Sequence, residues 1–390
     1  MLFRTGHHNV FAYHLPVKII FGRPAATALR EELELLQARR VLLISDPGLA
    51  RLGLVEQMQT SLDENNRVII PFTNISSNPT SDDVATALDM ARANQVQTII
   101  ALGGGSAIDV SKAVAMLMTN GGSYADYQWK GKDITQPSLP LLAVPTTAGT
   151  GSEVSKVAVI IDPEQPFKKG VLSPMMFARA AILDPELTRT LPPTITAATG
   201  IDAFTHALEA YIGRRANPYT DMLALTSLEV IWQHLPRAVA DGNDMTARSN
   251  MLLAATWAGT AMDHAGLGLI HSLSGPITST LHLHHGLTNG ILLPHVLRFN
   301  LPSIPYERRQ RLKHIVGLNT DAPDDVLVET IAQFVHDLGL PNRLGQVADI
   351  SRLSDYDPMV EDTIRMAMTP NNPRPVTTTD VTALLNDLLQ

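Results

Sequence analysis

Near-continuous apolar runs, separated by amphipathic stretches, organise the first half of the chain. Val17 to Phe21, Arg40 to Ser45, Arg67 to Phe72, Val96 to Leu102, Leu139 to Pro145 and Ala180 to Leu183 read as strands. Asp82 to Ala93 has the period of a helix. Strands buried on both faces lose the alternation of a half-buried sheet, so this rhythm predicts a mainly parallel sheet covered by helices on both sides. After Asp184-Pro185-Glu186-Leu187 the period changes. From Pro193 onward the apolar spacing predicts helices over 194–211, 220–235, 246–265, 306–316, 323–338, 360–368 and 379–389. The expected architecture is an α/β domain over residues 1–187 followed by an all-helical domain over 188–390.

Composition narrows the picture. The 390 residues are 45% hydrophobic and 17% charged, as in an ordinary globular protein of two domains. With a net charge of -8 and no basic run, a nucleic-acid partner is not expected. No apolar run reaches the roughly 18 to 20 residues of a membrane span. The first eight residues lack the basic-then-apolar pattern of a signal peptide. The chain has no cysteine, which excludes disulfides, thiolate ligands and thiol nucleophiles and is compatible with a reducing cytoplasm.

Chemistry enters where the predicted strand 96–102 runs into Gly103-Gly104-Gly105-Ser106. Three glycines let backbone approach a phosphate, and the start of the next helix offers free N–H groups to an anion. Ser106 is placed to cap that helix, with Asp109 as the reciprocal partner of a capping box. The bland reading is a tight βα turn, and a glycine triplet alone is weak evidence. A second polar loop, Pro145-Thr146-Thr147-Ala148-Gly149-Thr150-Gly151-Ser152-Glu153, either hydrogen-bonds a dinucleotide or merely turns the chain. Asp46 follows a strand, where a carboxylate can accept bonds from ribose hydroxyls and repel a 2′-phosphate. It also suits a plain Asp-Pro-Gly turn.

The helical half holds a different constellation. Asp202 and His206 stand four residues apart on one predicted helix, hence on one face. His271 and His285 flank a stretch interrupted by Gly and Pro. One carboxylate with three imidazoles suits a divalent transition metal. Spacing does not separate these histidines from His264, His282, His284 and His295, and His282 and His284 alternate as if sharing a face. Glu209, one turn on from His206, fits either a supporting contact to the site or, more simply, an exposed carboxylate.

Taken in order, these residues identify a resemblance. The chain is similar to the iron-containing (group III) alcohol dehydrogenases of the dehydroquinate-synthase-like superfamily. The likeness runs from Leu15-Pro16-Val17-Lys18-Ile19-Ile20-Phe21-Gly22 through Gly103-Gly104-Gly105-Ser106 with Asp109 and Lys112, and through the Pro145 to Glu153 loop. It continues through Thr199-Gly200-Ile201-Asp202-Ala203 with His206 and Glu209, to His285-Gly286, Asn289 and Leu293-Pro294-His295. The resemblance implies a dinucleotide domain, a helical metal domain and an active site in the cleft between them. It implies Asp202, His206, His271 and His285 as metal ligands. It implies cofactor contacts from Asp46, Asn78, Gly104, Gly105, Ser106, Asp109, Thr146, Thr147, Thr150 and Lys168. NAD is expected over NADP, Fe(II) or else Zn(II) as the metal, and a cytoplasmic homodimer or larger homo-oligomer as the assembly.

One departure bears on proton transfer. The family's second histidine, four residues after the third ligand, is Gly275 here, and a large aromatic common near the substrate is Met262. His282 and His284 are the candidate replacements as proton relay. The implied reaction is reversible hydride transfer between a small primary alcohol, diol or hydroxy acid and its aldehyde. Two alternatives stay open: a lyase or cyclase of the dehydroquinate-synthase type, and a non-catalytic descendant that binds metal and nucleotide. Against the first, no Lys/Arg/His phosphate cluster lies near these motifs.

Overall fold

The structure is a computed structural model that describes residues 10–63, 66–76, 78–165, 169–350 and 356–389. The chain divides into two compact units, Pro16–Thr190 and Leu191–Gln390, the latter joined by the N-terminal segment ending at Leu15.

The first unit is α/β. In chain order it contains β1 (Lys18–Phe21), α1 (Ala25–Leu35), β2 (Arg40–Ser45), α2 (Pro47–Arg51), α3 (Leu54–Leu62), β3 (Val68–Phe72), α4 (Ser81–Ala93), β4 (Thr98–Gly103), α5 (Gly105–Asn120) and α6 (Tyr124–Gln128). There follow β5 (Leu141–Pro145), a short antiparallel pair, β6 (Val157–Ala158) and β7 (Val171–Leu172), and finally β8 (Ala180–Leu183). Six strands form one sheet in the order β1-β8-β5-β4-β2-β3, and every pairing in it is parallel. Ile100, Leu102, Leu142, Val144 and Ile182 pack with α1 and α3 on one face. Their neighbours Ile99, Ala101, Leu141 and Ala143 point the opposite way and are fully buried where α5 packs on β4 and β5. This is the doubly covered parallel sheet that the apolar runs predict.

The strand order has a consequence for the loops. After β2 the chain steps outward to β3, then returns to place β4 on the other side of β2. Such a reversal opens a crevice at the carboxyl ends of the two strands. The register sets Ser45 beside Leu102 and Gly103 beside Pro145. Asp46, Gly103–Gly105 and Thr146 therefore leave the sheet from three adjacent strands.

The second unit is helical: α7 (Pro193–Ile212), α8 (Pro218–Ala240), α9 (Met245–Ala265), α10 (Leu269–Leu281), α11 (His285–Asn300), α12 (Tyr306–Ile315), α13 (Asp324–Asp337), α14 (Asp357–Arg365) and α15 (Thr378–Leu389). Every residue of α7 from Thr196 to Ile212 is buried, by α8, α9 and α11. A helix wrapped on all sides can carry polar groups only where they answer one another. Two helices, α10 and α11, occupy the region that reads in sequence as an interrupted stretch. Residues 10–15 belong to this unit: Tyr13 stacks on His264 at 4.4 Å and on Tyr219 at 5.2 Å. Among the described residues no helix is long and apolar enough to cross a membrane.

Candidate metal centre and nucleotide loops

α7 carries Asp202 and His206 one turn apart, and Asp202 is 3% exposed. α10 brings His271 from its first turn, and α11 begins with His285. The Nε2 atoms of His206, His271 and His285 lie 3.6, 3.6 and 3.7 Å from Asp202 Oδ1. Bonds of ~2.1 Å at tetrahedral angles place donor atoms about 3.4 Å apart, so this spacing fits a shared divalent cation. Asp202, His271 and His285 offer ligand atoms that all lie within 4.8 Å of one another, whereas His206 stands outside that set and is close to Asp202 at 3.6 Å.

The imidazoles are aimed by their other nitrogens. His271 Nδ1 lies 2.6 Å from Glu209 Oε2, which turns Nε2 toward Asp202. Glu209 is 2% exposed, so the simpler sequence reading of an exposed carboxylate is corrected. Its burial is matched by work at the start of α10, where its two oxygens accept N–H bonds from Gly268 and Ile270. His285 Nδ1 lies 3.1 Å from Ser274 Oγ. Burial pushes the His271 imidazole down, but bonds to Asp202 and Glu209 prevail and raise its pKa to about 9. For Asp202, burial opposes ionisation, and the charges of His206, His285 and His271 more than offset it, holding the carboxyl below its usual range.

Gly286 shows why the third helix can come so close. A Cβ there would lie 2.2 Å from the Ala198 carbonyl oxygen and 3.2 Å from Asp202 Cβ. Only glycine lets α11 enter against α7 and deliver His285. At Gly275 a Cβ would lie 2.5 Å from Met366 Cε, so the family's usual histidine would displace that methionine. His282 and His284 do not share a strand face. His282 ends α10 in the left-handed conformation at φ 54°, and His284 is the N-cap of α11; both are exposed.

In the α/β unit the two polar loops meet. A Cβ on Gly104 would touch Thr147 at 3.4 Å, and one on Gly105 would stand 2.9 Å from Thr150 Cγ2. The N-cap of α5 is Gly104, which makes no side-chain cap, and Ser106 lies inside the helix. This corrects the expected capping box. Asp109 instead accepts from Ser152 Oγ at 2.5 Å and from the Val159 N–H at 3.0 Å, tying α5 to the hydroxyl loop. Lys112, fully buried, donates to Ser152, Ser155 and the Val157 carbonyl beside it, contacts that the sequence does not signal. Asp46 caps α2 through the Leu49 N–H, and a Cβ on Gly103 would lie 3.5 Å from its other oxygen. Asp46 is thus a turn residue that also borders the glycine loop. The Thr146 N–H bonds to the Gly103 carbonyl at 3.0 Å. Asn78 is exposed in the segment before α4. Lys168 lies outside the described residues. The glycine approach, the uncapped helix start and a flanking carboxylate together fit a dinucleotide's pyrophosphate and ribose.

The comparisons agree along the whole chain. Residues 16–185 match the family model of iron-containing alcohol dehydrogenase, and residues 196–389 match that of the Fe-containing alcohol dehydrogenase family, C-terminal. The NAD-dependent methanol dehydrogenase of Bacillus methanolicus is 31% identical over 97% of this chain and 99% of its own length. The 1,3-propanediol dehydrogenase of Citrobacter freundii is 33% identical over 94% of this chain and 96% of its own. Among solved structures, a 1,3-propanediol oxidoreductase superposes with a TM-score of 0.91 at 31% identity, covering 98% of this chain and 100% of that one. Sulfoacetaldehyde reductase from Bifidobacterium kashiwanohense, in complex with NAD+, superposes with a TM-score of 0.88 at 29% identity, covering 98% and 99%. With both halves matched, the chain belongs to the family of iron-containing alcohol dehydrogenases.

Proposed function

We propose that this protein is a metal-dependent, NAD-linked dehydrogenase that interconverts a small primary alcohol, diol or hydroxy acid and its aldehyde. The observation that carries this reading is the convergence of three imidazole nitrogens on Asp202 Oδ1. Asp202, His206, His271 and His285 would hold the cation, with iron favoured by the family and zinc equally suited to these donors. Bound there, the cation supplies a Lewis acid for a hydroxyl oxygen, and the nicotinamide accepts the hydride.

The chain's own residues do the rest. Asp202 sets a negative charge among the imidazoles, and Glu209 fixes the His271 tautomer. In the α/β unit, Gly104 and Gly105 admit the pyrophosphate, and the first N–H groups of α5, Ser106 included, donate to it. Thr146, Thr147 and Thr150 offer hydroxyls, and Asp109 holds the loop in place through Ser152. Asp46 would accept from the adenosine ribose and disfavour NADP. His282 and His284, in the exposed linker between α10 and α11, would exchange the proton with solvent. Alanine at both positions with unchanged turnover at every pH would remove them from the scheme.

A cytoplasmic homodimer belongs to the same reading. Edge strand β1 supports the dimer, since Ile19 and Phe21 are each 39% exposed there and a second copy can cover them. The decisive assay is a panel of alcohols and aldehydes with NAD(H) and NADP(H), run after loading with Fe(II) or Zn(II). Net NADH formation from a simple alcohol supports the dehydrogenase. Turnover without net change in NADH would mark a lyase or cyclase instead.

A further inference from the structure

Asn289 lies on α11 one turn after His285 and is fully buried. Its amide nitrogen is 2.7 Å from Asp202 Oδ1, 3.2 Å from His271 Nε2 and 3.1 Å from His285 Nε2. Asp202 Oδ1, a carboxylate oxygen, can only accept, so the amide presents its N–H side to it. Among the described residues its oxygen, buried, has no hydrogen-bond partner. A buried amide oxygen left unmatched is rare and marks a side chain whose orientation is dictated from its other end. Among the described residues, the Asp202 side chain meets three histidines and this single neutral donor.

We propose that Asn289 is a positioning residue of the metal site. Its amide N–H donates to Asp202 Oδ1 and so aims the carboxylate at the place where a divalent cation would sit, with the single Nε2 lone pair of each imidazole left for the metal. The inference rests on the metal reading given above. The mechanism is restraint: a carboxylate rotates about its Cβ–Cγ bond, and that freedom left open weakens a site that needs all its donors at once. Since Asn289 and His285 share one helix, the same amide also ties α11 to α7 at the height of the donors.

The test is Co(II) affinity, measured by competition with a chelator, together with the d–d absorption band of the Co(II) protein. Wild type is compared with Asn289→Leu and Asn289→Ala. Circular dichroism, melting of the chelated protein and NADH binding are recorded on the same samples. We expect both variants to fold and bind NADH normally, to bind Co(II) about 10- to 100-fold more weakly, and to show a shifted or weakened band. Wild-type affinity and band in either folded variant would overturn the proposal. So would a lowered melting point with unchanged affinity, since that is a purely structural role. If leucine prevents folding, alanine and Asn289→Ser carry the same comparison. If wild type holds no Co(II), or Asp202→Ala holds it equally well, the metal reading itself falls and this inference with it.

Discussion

His271 Nδ1 lies 2.6 Å from Glu209 Oε2, and the same carboxylate closes the start of α10 on the Gly268 and Ile270 N–H groups. One side chain thus sets both the helix that carries a proposed ligand and the tautomer of that ligand. Glu209→Ala leaves three buried donors unmatched, the Gly268 and Ile270 N–H groups and His271 Nδ1, at a cost of ~1–3 kcal/mol each. Metal affinity should fall about 10- to 100-fold. Glu209→Gln keeps an acceptor but loses the charge and should fall between. Thermal melting and metal titration of the three proteins check the order.

The pH dependence of the metal-stripped protein follows from His271. Its pKa is raised to about 9 from an ordinary value near 6.5. A raised pKa contributes stability that is fully present below about 6.5 and is lost as pH climbs through about 9. The melting temperature of the stripped protein should therefore fall across that window. Metal uptake at neutral pH should release a proton, visible in calorimetry as a dependence on the buffer's ionisation heat. A flat melting profile between pH 6.5 and 9 contradicts the assignment.

Gly286→Ala tests the approach of α11 to α7. The added Cβ meets a backbone oxygen at 2.2 Å, which no side-chain rotation relieves. A loss of about 1–3 kcal/mol in stability, typical of overpacking, is expected together with loss of bound metal. Elemental analysis beside a denaturation curve reads both.

These positions also show what sequence could and could not disclose. The parallel sheet was legible because its strands are unbroken apolar runs. α7, α8 and α9 were legible because their period is long and continuous. α10 and α11 were obscured by Gly275-Pro276 and by Pro294, which read as breaks yet sit inside helices. The metal set rested on the family pattern, because Asp202 and His271 are brought together only by packing. The expected capping box failed because α5 starts before Ser106, with Gly104 as its N-cap. Asp109 is claimed by Ser152 and Val159, 43 and 50 residues away, and local spacing cannot report such a competitor. Glu209 became a buried partner only through its contact with a helix that sequence did not show.

The nucleotide loops should fail independently of the metal. Gly105→Val places branches where Thr150 packs at 2.9 Å, and it should weaken NADH binding at least about tenfold while leaving bound metal unchanged. Asp46→Ala removes the α2 cap, for about 1 kcal/mol of stability. It should also narrow the preference for NAD over NADP. Fluorescence titration with NADH and NADPH, beside metal analysis of the same samples, separates the two effects.

The central claim is that the carboxylate and three imidazoles of the helical unit hold a divalent cation on which NAD-linked alcohol oxidation depends. The most direct measurement is NADH formation from small primary alcohols by protein stripped with chelator and then titrated with Fe(II) or Zn(II), with Asp202→Ala as comparison. We predict that activity is absent after stripping, returns in proportion to metal up to one ion per chain, and does not return in the variant. Full activity in stripped wild type, or equal recovery in Asp202→Ala, would contradict the account.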